Sequence, residues 1–495
     1  MPSSATDDAL TGTSGLDDVL GGGLQRARTF LLEGSPGTGK TTVALQFLVT
    51  GAAAGERCLY VTLSETEDEL RATAKAHDWD LSGVDLYELI PPENLLDDDQ
   101  QQSLLYSSDL ELGETTKRIF EAFERTRPER VVIDSLSEIR LLAQSSLRYR
   151  RQILALKHYF AKSHATVLML DDLTTDTNDK TVHSVAHGVI RLEELAPEYG
   201  AERRRLRIIK YRGRRFRGGY HDATIETGGL HVYPRLISSE HRTSFAREVV
   251  TTASAELNQL LGGGIERGSS VLVLGPAGTG KSSIALNFIQ TAVTRGESAV
   301  MFVFDEEIGL LIQRALGLGV DLQAMIDDGK LVLQQVDAAE LSPGQFSAKV
   351  RHSVEGYGAR TVVIDSLNGY QAAMPGEQAL VLHMHELLQY LNRQGATTFL
   401  TVAQQGLIGD MKTPVDLTYL ADTVILLRYF EALGQVRRAI SIAKKRTGPH
   451  ENTIRELQIG GSGITLGAPL TKFQGVLRGV PTLHGASDLL DRDGA

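Results

Sequence analysis

Short apolar runs recur along this chain and alternate with longer segments of helical period. In the first half the runs are Thr29–Glu33, Cys58–Leu63, Arg130–Ile133 and Thr166–Leu170. In the second half they are Ser270–Leu274, Ala299–Phe304, Arg360–Ile364 and Thr397–Val402. Runs this short and this apolar predict strands buried on both faces. Thr42–Ala54, Arg148–Lys162, Ser283–Thr294 and Gln378–Arg393 place their apolar residues at helical spacing. Strands alternating with helices predict an α/β fold, a mainly parallel sheet covered by helices.

The pattern is written twice. Gly15-Leu-Asp-Asp-Val-Leu-Gly-Gly-Gly-Leu24 returns as Ala255-Glu-Leu-Asn-Gln-Leu-Leu-Gly-Gly-Gly-Ile265, and Gly34-Ser-Pro-Gly-Thr-Gly-Lys-Thr41 as Gly275-Pro-Ala-Gly-Thr-Gly-Lys-Ser282. Val131-Val-Ile-Asp-Ser-Leu136 returns as Val362-Val-Ile-Asp-Ser-Leu367, and Lys210-Tyr-Arg212 as Lys444-Lys-Arg446. The order is kept, which is the signature of duplication, and each copy is far too long for a solenoid repeat. The polar stretch between Tyr233 and Ser254 lacks periodicity and reads as the linker. Two domains are therefore expected, residues 1–245 and 246–495.

Composition narrows the setting. No apolar run reaches the length needed to cross a bilayer, and Met1–Leu10 lacks the basic start and apolar core of a signal peptide. Cys58 is the lone cysteine, so no intrachain disulfide can form. A cytoplasmic protein without membrane attachment is expected. The net charge of -11 argues against nucleic acid as a general partner.

The repeated Gly-x-x-x-x-Gly-Lys-[Ser/Thr] string follows a predicted strand and opens a predicted helix in both copies, the context a phosphate-binding loop requires. Backbone N–H groups of Gly37, Thr38, Gly39, Lys40, Thr41 and Thr42 would surround phosphate oxygens at a helix N-terminus. Gly278, Thr279, Gly280, Lys281, Ser282 and Ser283 repeat the set. Lys40 and Lys281 are expected to reach the β- and γ-phosphates, and Thr41 and Ser282 to ligate Mg²⁺. Asp134 and Asp365 end apolar strands, as a Walker B carboxylate does.

The second strand of each copy leads into acids: Leu63-Ser-Glu-Thr66 and Phe304-Asp-Glu-Glu307. Glu65 and Glu306, with Asp305 beside the latter, are candidates to orient the attacking water or take its proton. The competing reading has Ser64 or Asp305 capping a helix. Glu202–Arg217 is the most basic stretch. It reads as a solvated antiparallel hairpin, as a nucleic-acid patch with Tyr211 and Phe216 stacking, or as an arginine finger for a neighbour's γ-phosphate. Only Lys-x-Arg recurs in the second copy, which favours phosphate contact for Lys210, Arg212, Lys444 and Arg446.

These residues, with Ala421-Asp-Thr-Val-Ile-Leu-Leu-Arg-Tyr429 and Lys444-Lys-Arg-Thr-Gly-Pro-His450, resemble the KaiC family from about Gly12 to Leu483. That family comprises the double-domain RecA-like ATPases and autokinases of the cyanobacterial circadian clock. The resemblance implies two tandem RecA-like P-loop NTPase domains, a homohexameric ring, and ATP with Mg²⁺ bound between protomers. It implies ATP hydrolysis in the N-terminal ring and serine/threonine autophosphorylation in the C-terminal one. Lys210-Tyr211-Arg212, Lys444-Lys445-Arg446 and His450 match the segments that reach a neighbour's nucleotide. Phe216 falls near the first-domain counterpart of that histidine. The family's paired catalytic glutamates fall on Ser64-Glu65 and Asp305-Glu306, so Ser64 predicts slower hydrolysis in the first domain.

The phosphorylated Ser-Thr pair falls on Thr418-Tyr419. The segment Glu93–Leu112 does not resemble the family's KaiB-contacting region, which leaves a KaiB-like or other signalling partner open. The short tail after Gly485 argues against KaiA. Two rival readings stand beside this one: a RecA-like DNA-binding ATPase, and an ATP-dependent scaffold with little turnover.

Overall fold

The computed structural model describes residues 8–89, 104–173, 181–197, 200–372, 374, 376–404, 406, 417–432, 434–461, 463–478 and 482–483. Residues 93–103 of the acidic, glutamine-rich segment and the tail after Gly485 lie outside them. The chain divides into two compact units, Met1–Arg235 and Leu236–Ala495. The division falls after Arg235 because the segment beyond it packs on the second unit. Leu236 enters that unit's core, and the Ser238 N–H donates to Glu386 Oε2 at 3.2 Å.

Each unit is built on a nine-stranded sheet. In the N-terminal unit the order is Gly229–Tyr233, His221–Glu226, Arg203–Tyr211, Gly188–Leu195, Thr29–Gly34, Thr166–Asp172, Arg130–Asp134, Cys58–Thr62 and Val84–Glu88. From Gly188–Leu195 to Val84–Glu88 all neighbours are parallel; the first three strands extend the sheet antiparallel. The C-terminal unit repeats the order in mirror listing: Leu331–Gln335, Ser298–Val303, Ala359–Asp365, Thr397–Ala403, Ser270–Gly275, Thr423–Ala432, Gln435–Lys445, Arg455–Gly460 and Gly463–Pro469.

The sheet is apolar on both faces because it separates two cores. Alternation along a strand sends successive side chains to opposite sides. Leu32, Tyr60, Val132 and Leu168 face the helix Lys40–Ala53 through Phe47. Leu31, Val61, Ile133 and Met169 face the opposite layer with Ile153 and Phe160 of Ser146–Lys162. That double burial is why the central strands read as unbroken apolar runs. The same division in the second unit sets Phe288 and Val273 on one side and Leu272 and Tyr390 on the other.

Parallel order places the carboxyl ends of Thr29–Gly34, Cys58–Thr62, Arg130–Asp134 and Thr166–Asp172 along one edge. In open α/β sheets that edge is where ligands bind. The glycine loop, the acids after Thr62 and the aspartate ending Asp134 all emerge there. Among the described residues no helix is long and apolar enough to cross a membrane.

Candidate nucleotide sites and the family they define

The two glycine loops have the same backbone. Gly37 and Gly39 in one, and Gly278 and Gly280 in the other, lie at φ 84°, 97°, 76° and 104°. These are left-handed values that glycine alone adopts without strain. Gly39 and Gly280 precede the helices Lys40–Ala53 and Lys281–Thr294, so the N–H-bearing ends of those helices open onto the loops. Thr38 Oγ1 donates to Ser35 O, and Thr279 Oγ1 to Pro276 O, both at 2.8 Å, closing each loop on itself.

Lys40 is nearly buried. Its ammonium donates to Gly34 O and Ser35 O at 2.9 Å and pairs with Asp172 Oδ1 at 2.7 Å. Lys281 donates to Gly275 O at 3.0 Å and to Pro276 O at 2.8 Å. The sheet register puts Ala403 where the first unit has Asp172, so the second lysine lacks that counterion. Burial lowers the Lys281 pKa, and Asp365 opposes the shift.

Thr41 Oγ1 donates to Asp134 Oδ2 at 3.4 Å, and the buried Tyr60 hydroxyl donates to the same oxygen at 2.6 Å. Burial raises the Asp134 pKa while the Tyr60 hydrogen bond opposes the shift. In the second unit Thr401, from the strand on the other side, donates to Asp365 Oδ1. A hydroxyl at a helix start beside a strand-end carboxylate is a hard-oxygen donor set, which suits Mg²⁺. Among the described residues no three acidic, histidine or cysteine side chains could hold a metal by themselves. The arrangement thus fits an ion whose other ligands are phosphate oxygens and water.

Glu65 is half-buried, and its backbone is fixed by Thr62, whose Oγ1 donates to Glu65 O at 2.7 Å and accepts from Glu65 N at 3.0 Å. Burial, with the negative charges of Asp134, Glu69 and Asp172, pushes the Glu65 pKa up to about 7. In the second unit the corresponding acids part ways. Asp305 Oδ2 accepts from Ser366 Oγ at 2.5 Å, beside Asp365, whereas both oxygens of Glu306 are gripped by Arg314. The helix-capping alternative for Ser64 and Asp305 fails. Thr66 caps Glu67–Ala76 in a reciprocal pair with Glu69, and Glu307 caps Ile308–Leu316 by accepting from Leu310 N.

The Lys-x-Arg segments end the strands Arg203–Tyr211 and Gln435–Lys445. The outer residues share one face. Lys210 Nζ donates to His183 O, and Arg212 Nη2 to Ser184 O at 2.7 Å. Lys444 Nζ donates to Thr418 O and Ala421 O at 2.7 Å, and Arg446 Nη2 to Tyr419 O at 2.5 Å. The middle residues point the other way, inward. Tyr211 Oη donates to Gly23 O at 3.1 Å; Lys445 Nζ donates to Leu261 O at 2.6 Å and Gly264 O at 3.0 Å. These side chains dock on the repeated triple-glycine turns, so any nucleotide contact from Tyr211 or Lys445 falls to their backbone.

The triple-glycine turn also admits the loop beyond: a Cβ on Gly262 would lie 2.0 Å from Pro449 O, next to His450. The candidate phosphosites occupy a turn ahead of Thr423–Ala432, with Tyr419 52% exposed.

One pair escaped the sequence reading. Arg204 Nε donates to Gly37 O at 3.4 Å, and Arg438 Nε to Gly278 O at 3.3 Å. Each lies six residues before the lysine of its Lys-x-Arg, and that recurrence is the signal that would have found them. Several charges of the basic stretch are spent locally. Arg204 pairs with Glu194 at 3.1 Å, Arg205 with Glu193 at 2.7 Å and Arg214 with Asp8 at 2.6 Å, and Arg205 and Arg207 stack over Tyr220. The stretch is antiparallel but is not a solvated hairpin in itself: Arg203–Tyr211 is one part-buried strand between Gly188–Leu195 and His221–Glu226.

Two RecA-like domains, each with a phosphate loop at the carboxyl edge of a mainly parallel sheet, define a tandem P-loop ATPase. A family model described as the KaiC ATPase matches residues 9–237 and again 250–471, and the chain belongs to that family. Its relatives include the circadian clock protein KaiC3 of Synechocystis sp., 28% identical over 97% of this chain and 95% of its own. The circadian clock oscillator protein KaiC of Synechococcus elongatus is 27% identical over 94% of this chain and 90% of its own. The KaiC2 protein of Synechocystis sp. is 28% identical over 92% and 80%.

Proposed function

We propose that the protein is a cytoplasmic ATP hydrolase that assembles as a homohexameric ring, with a nucleotide site in each domain completed by the neighbouring protomer. The observation that carries this reading is the paired construction just described. Each domain holds a phosphate loop with a buried lysine, and each presents a Lys-x-Arg pair at an equivalent strand end. In this reading Lys40 and Lys281 bind the β- and γ-phosphates of ATP. Lys210 and Arg212, or Lys444 and Arg446, reach the γ-phosphate held by the next protomer, and His450 makes a further contact with that nucleotide. Thr41 with Asp134, and Ser282 with Asp365, would hold Mg²⁺, which neutralises charge building on the phosphate oxygens.

Glu65 accepts the proton of the water that attacks the γ-phosphorus as the bond to the bridging oxygen breaks. A carboxyl titrating near 7 suits that task at neutral pH. In the second domain Asp305 is the acid free to serve, because Glu306 is neutralised by Arg314. The C-terminal ring also phosphorylates its own protein: the γ-phosphoryl group held by the next protomer passes to the Thr418 hydroxyl as the bond to the bridging oxygen breaks and ADP leaves. Support comes from Lys444 and Arg446, which bond the carbonyls of Thr418 and Tyr419 and so keep the backbone of this turn beside the cations assigned to γ-phosphate. The output is a nucleotide- or phosphate-dependent signal to a protein partner, KaiB-like or other, as in a timing switch.

ADP release and intact mass, measured with Mg-ATP on the parent, Lys40→Ala and Lys281→Ala, test this. Each substitution should remove part of the turnover, and Lys281→Ala should abolish the added 80-Da phosphate, about the mass of one phosphoryl group. Turnover unaffected by both changes would refute the site assignment.

A further inference from the structure

Glu33 is an acid where the sequence leads one to expect an apolar residue. It is the penultimate residue of the strand Thr29–Gly34, just before the phosphate loop, and it is 2% exposed. A buried carboxylate is costly unless it is paired. Here both oxygens are engaged. His183 Nε2 lies 2.6 Å from Oε2, and Arg191 reaches Oε1 with Nε at 2.7 Å and Nη2 at 2.6 Å. These partners outweigh burial and hold the Glu33 pKa below the usual range.

His183 is also the residue whose carbonyl takes the Lys210 ammonium. Its neighbour Ser184 takes Arg212, and Val185 O accepts from Lys157 Nζ at 2.8 Å. The carbonyls of His183 and Ser184 therefore form the rest on which the Lys-x-Arg pair lies, and Lys157 holds the next one. The side chain of His183 pins that rest to the strand feeding the domain's own phosphate loop.

The second domain has the rest but lacks the pin. Thr418 occupies the place of His183, identified by the matching Lys444 contact. The sheet register puts Leu274 in the place of Glu33 and Leu426 in that of Arg191. The charged cluster is thus not a requirement of the fold, since the sister domain fills its positions with Leu274, Leu426 and Thr418.

We infer that Glu33 and His183 are positioning residues of the N-terminal domain, fixing Lys210 and Arg212 where they meet the neighbouring protomer's γ-phosphate. The inference rests on the ring reading above. It also separates the two domains: the first pins the rest of its cation pair through a side chain, while the second carries the Thr418 hydroxyl at the pinning position. A cation pair that acts on transition-state charge governs kcat more than KM.

The test is steady-state ATP hydrolysis in a Lys281→Ala background, with ring mass and melting temperature recorded for each variant. His183→Ala and the leucine pair Glu33→Leu/Arg191→Leu should each lose about tenfold in kcat, with KM within about twofold. His183→Gln, whose amide nitrogen can stand for Nε2, should recover most of the loss. Rings of normal mass and unchanged kcat in both disrupted variants would overturn the inference. So would equal loss in His183→Gln and His183→Ala at matched melting temperature, which would mark a merely structural role. If the parent itself forms no ring with ATP, the ring reading falls and this inference with it.

Discussion

Arg314 holds Glu306 through both carboxylate oxygens, Nε to Oε1 at 3.0 Å and Nη2 to Oε2 at 2.7 Å. Thr73 occupies the corresponding helix position in the first domain, one turn beyond Leu70 as Arg314 lies beyond Leu311. The two acids that sequence alignment treats as equivalent therefore differ in charge environment. Glu65 sits among carboxylates and holds its proton near neutrality, whereas Glu306 is neutralised by a bidentate partner. In a Lys40→Ala background, Asp305→Asn should reduce ATP turnover about tenfold or more, and Glu306→Gln by less than about threefold. The reverse order would return Glu306 to the role of base.

Glu65 gives the first domain a pH dependence of known sign. In the role proposed for it Glu65 acts only when ionised, and its pKa is raised to about 7. Hydrolysis in a Lys281→Ala background should rise as pH passes through about 7 and level off above it. Glu65→Gln should remove that limb and about 100-fold of the rate. Linkage gives a second readout. A carboxyl whose pKa is higher folded than unfolded makes the fold less stable as pH rises toward that value. Glu65→Gln should therefore melt above the parent at pH 8 and with it at pH 5.

Tyr60 donates the hydrogen bond that compensates a nearly buried Asp134. Tyr60→Phe leaves the ring's packing and removes the donor. The N-terminal domain should lose about 1–3 kcal/mol at pH 8, read by denaturant titration without nucleotide. Met301 stands at the equivalent position of the second domain, so Met301→Leu should cost little, below about 1.5 kcal/mol. Equal losses from the two substitutions would remove the special role of the hydroxyl.

Within the 203–217 stretch Arg204, Arg205 and Arg214 are matched by Glu194, Glu193 and Asp8, which leaves less free positive charge than the sequence displays. A single-stranded DNA gel shift at low salt should show no band. Binding that weakens steeply with salt would restore the DNA-binding reading.

Much of the candidate site is legible in the sequence because it is written twice. Lys40 and Lys281, Asp134 and Asp365, and the outer residues of Lys210-Tyr211-Arg212 and Lys444-Lys445-Arg446 lie at equivalent places in the structure. Repetition hid what is not repeated. Asp172, Glu33 and Tyr60 have Ala403, Leu274 and Met301 as counterparts, so a search for echoes passes over them. The central strands were legible because burial on both faces makes them uniformly apolar. Val84–Glu88 and Leu331–Gln335 escaped because an edge strand mixes exposed and buried positions. Thr66 and Glu307 as helix caps were displaced in the reading by Ser64 and Asp305. A cap is fixed by which backbone N–H it meets, and neighbouring polar residues look alike in sequence.

Sharing of sites between protomers is the claim on which the rest depends, and subunit mixing tests it most directly. One variant carries Lys40→Ala and Lys281→Ala, leaving its Lys-x-Arg pairs intact. The other carries Lys210→Ala, Arg212→Ala, Lys444→Ala and Arg446→Ala, leaving its phosphate loops intact. The two are mixed without nucleotide, ATP is added, and ADP release is measured alongside ring mass. Neither variant alone should turn over ATP appreciably, and the mixture should regain a substantial share of the parent rate. Mixed rings that stay silent, or full activity in the four-alanine variant by itself, would contradict the account.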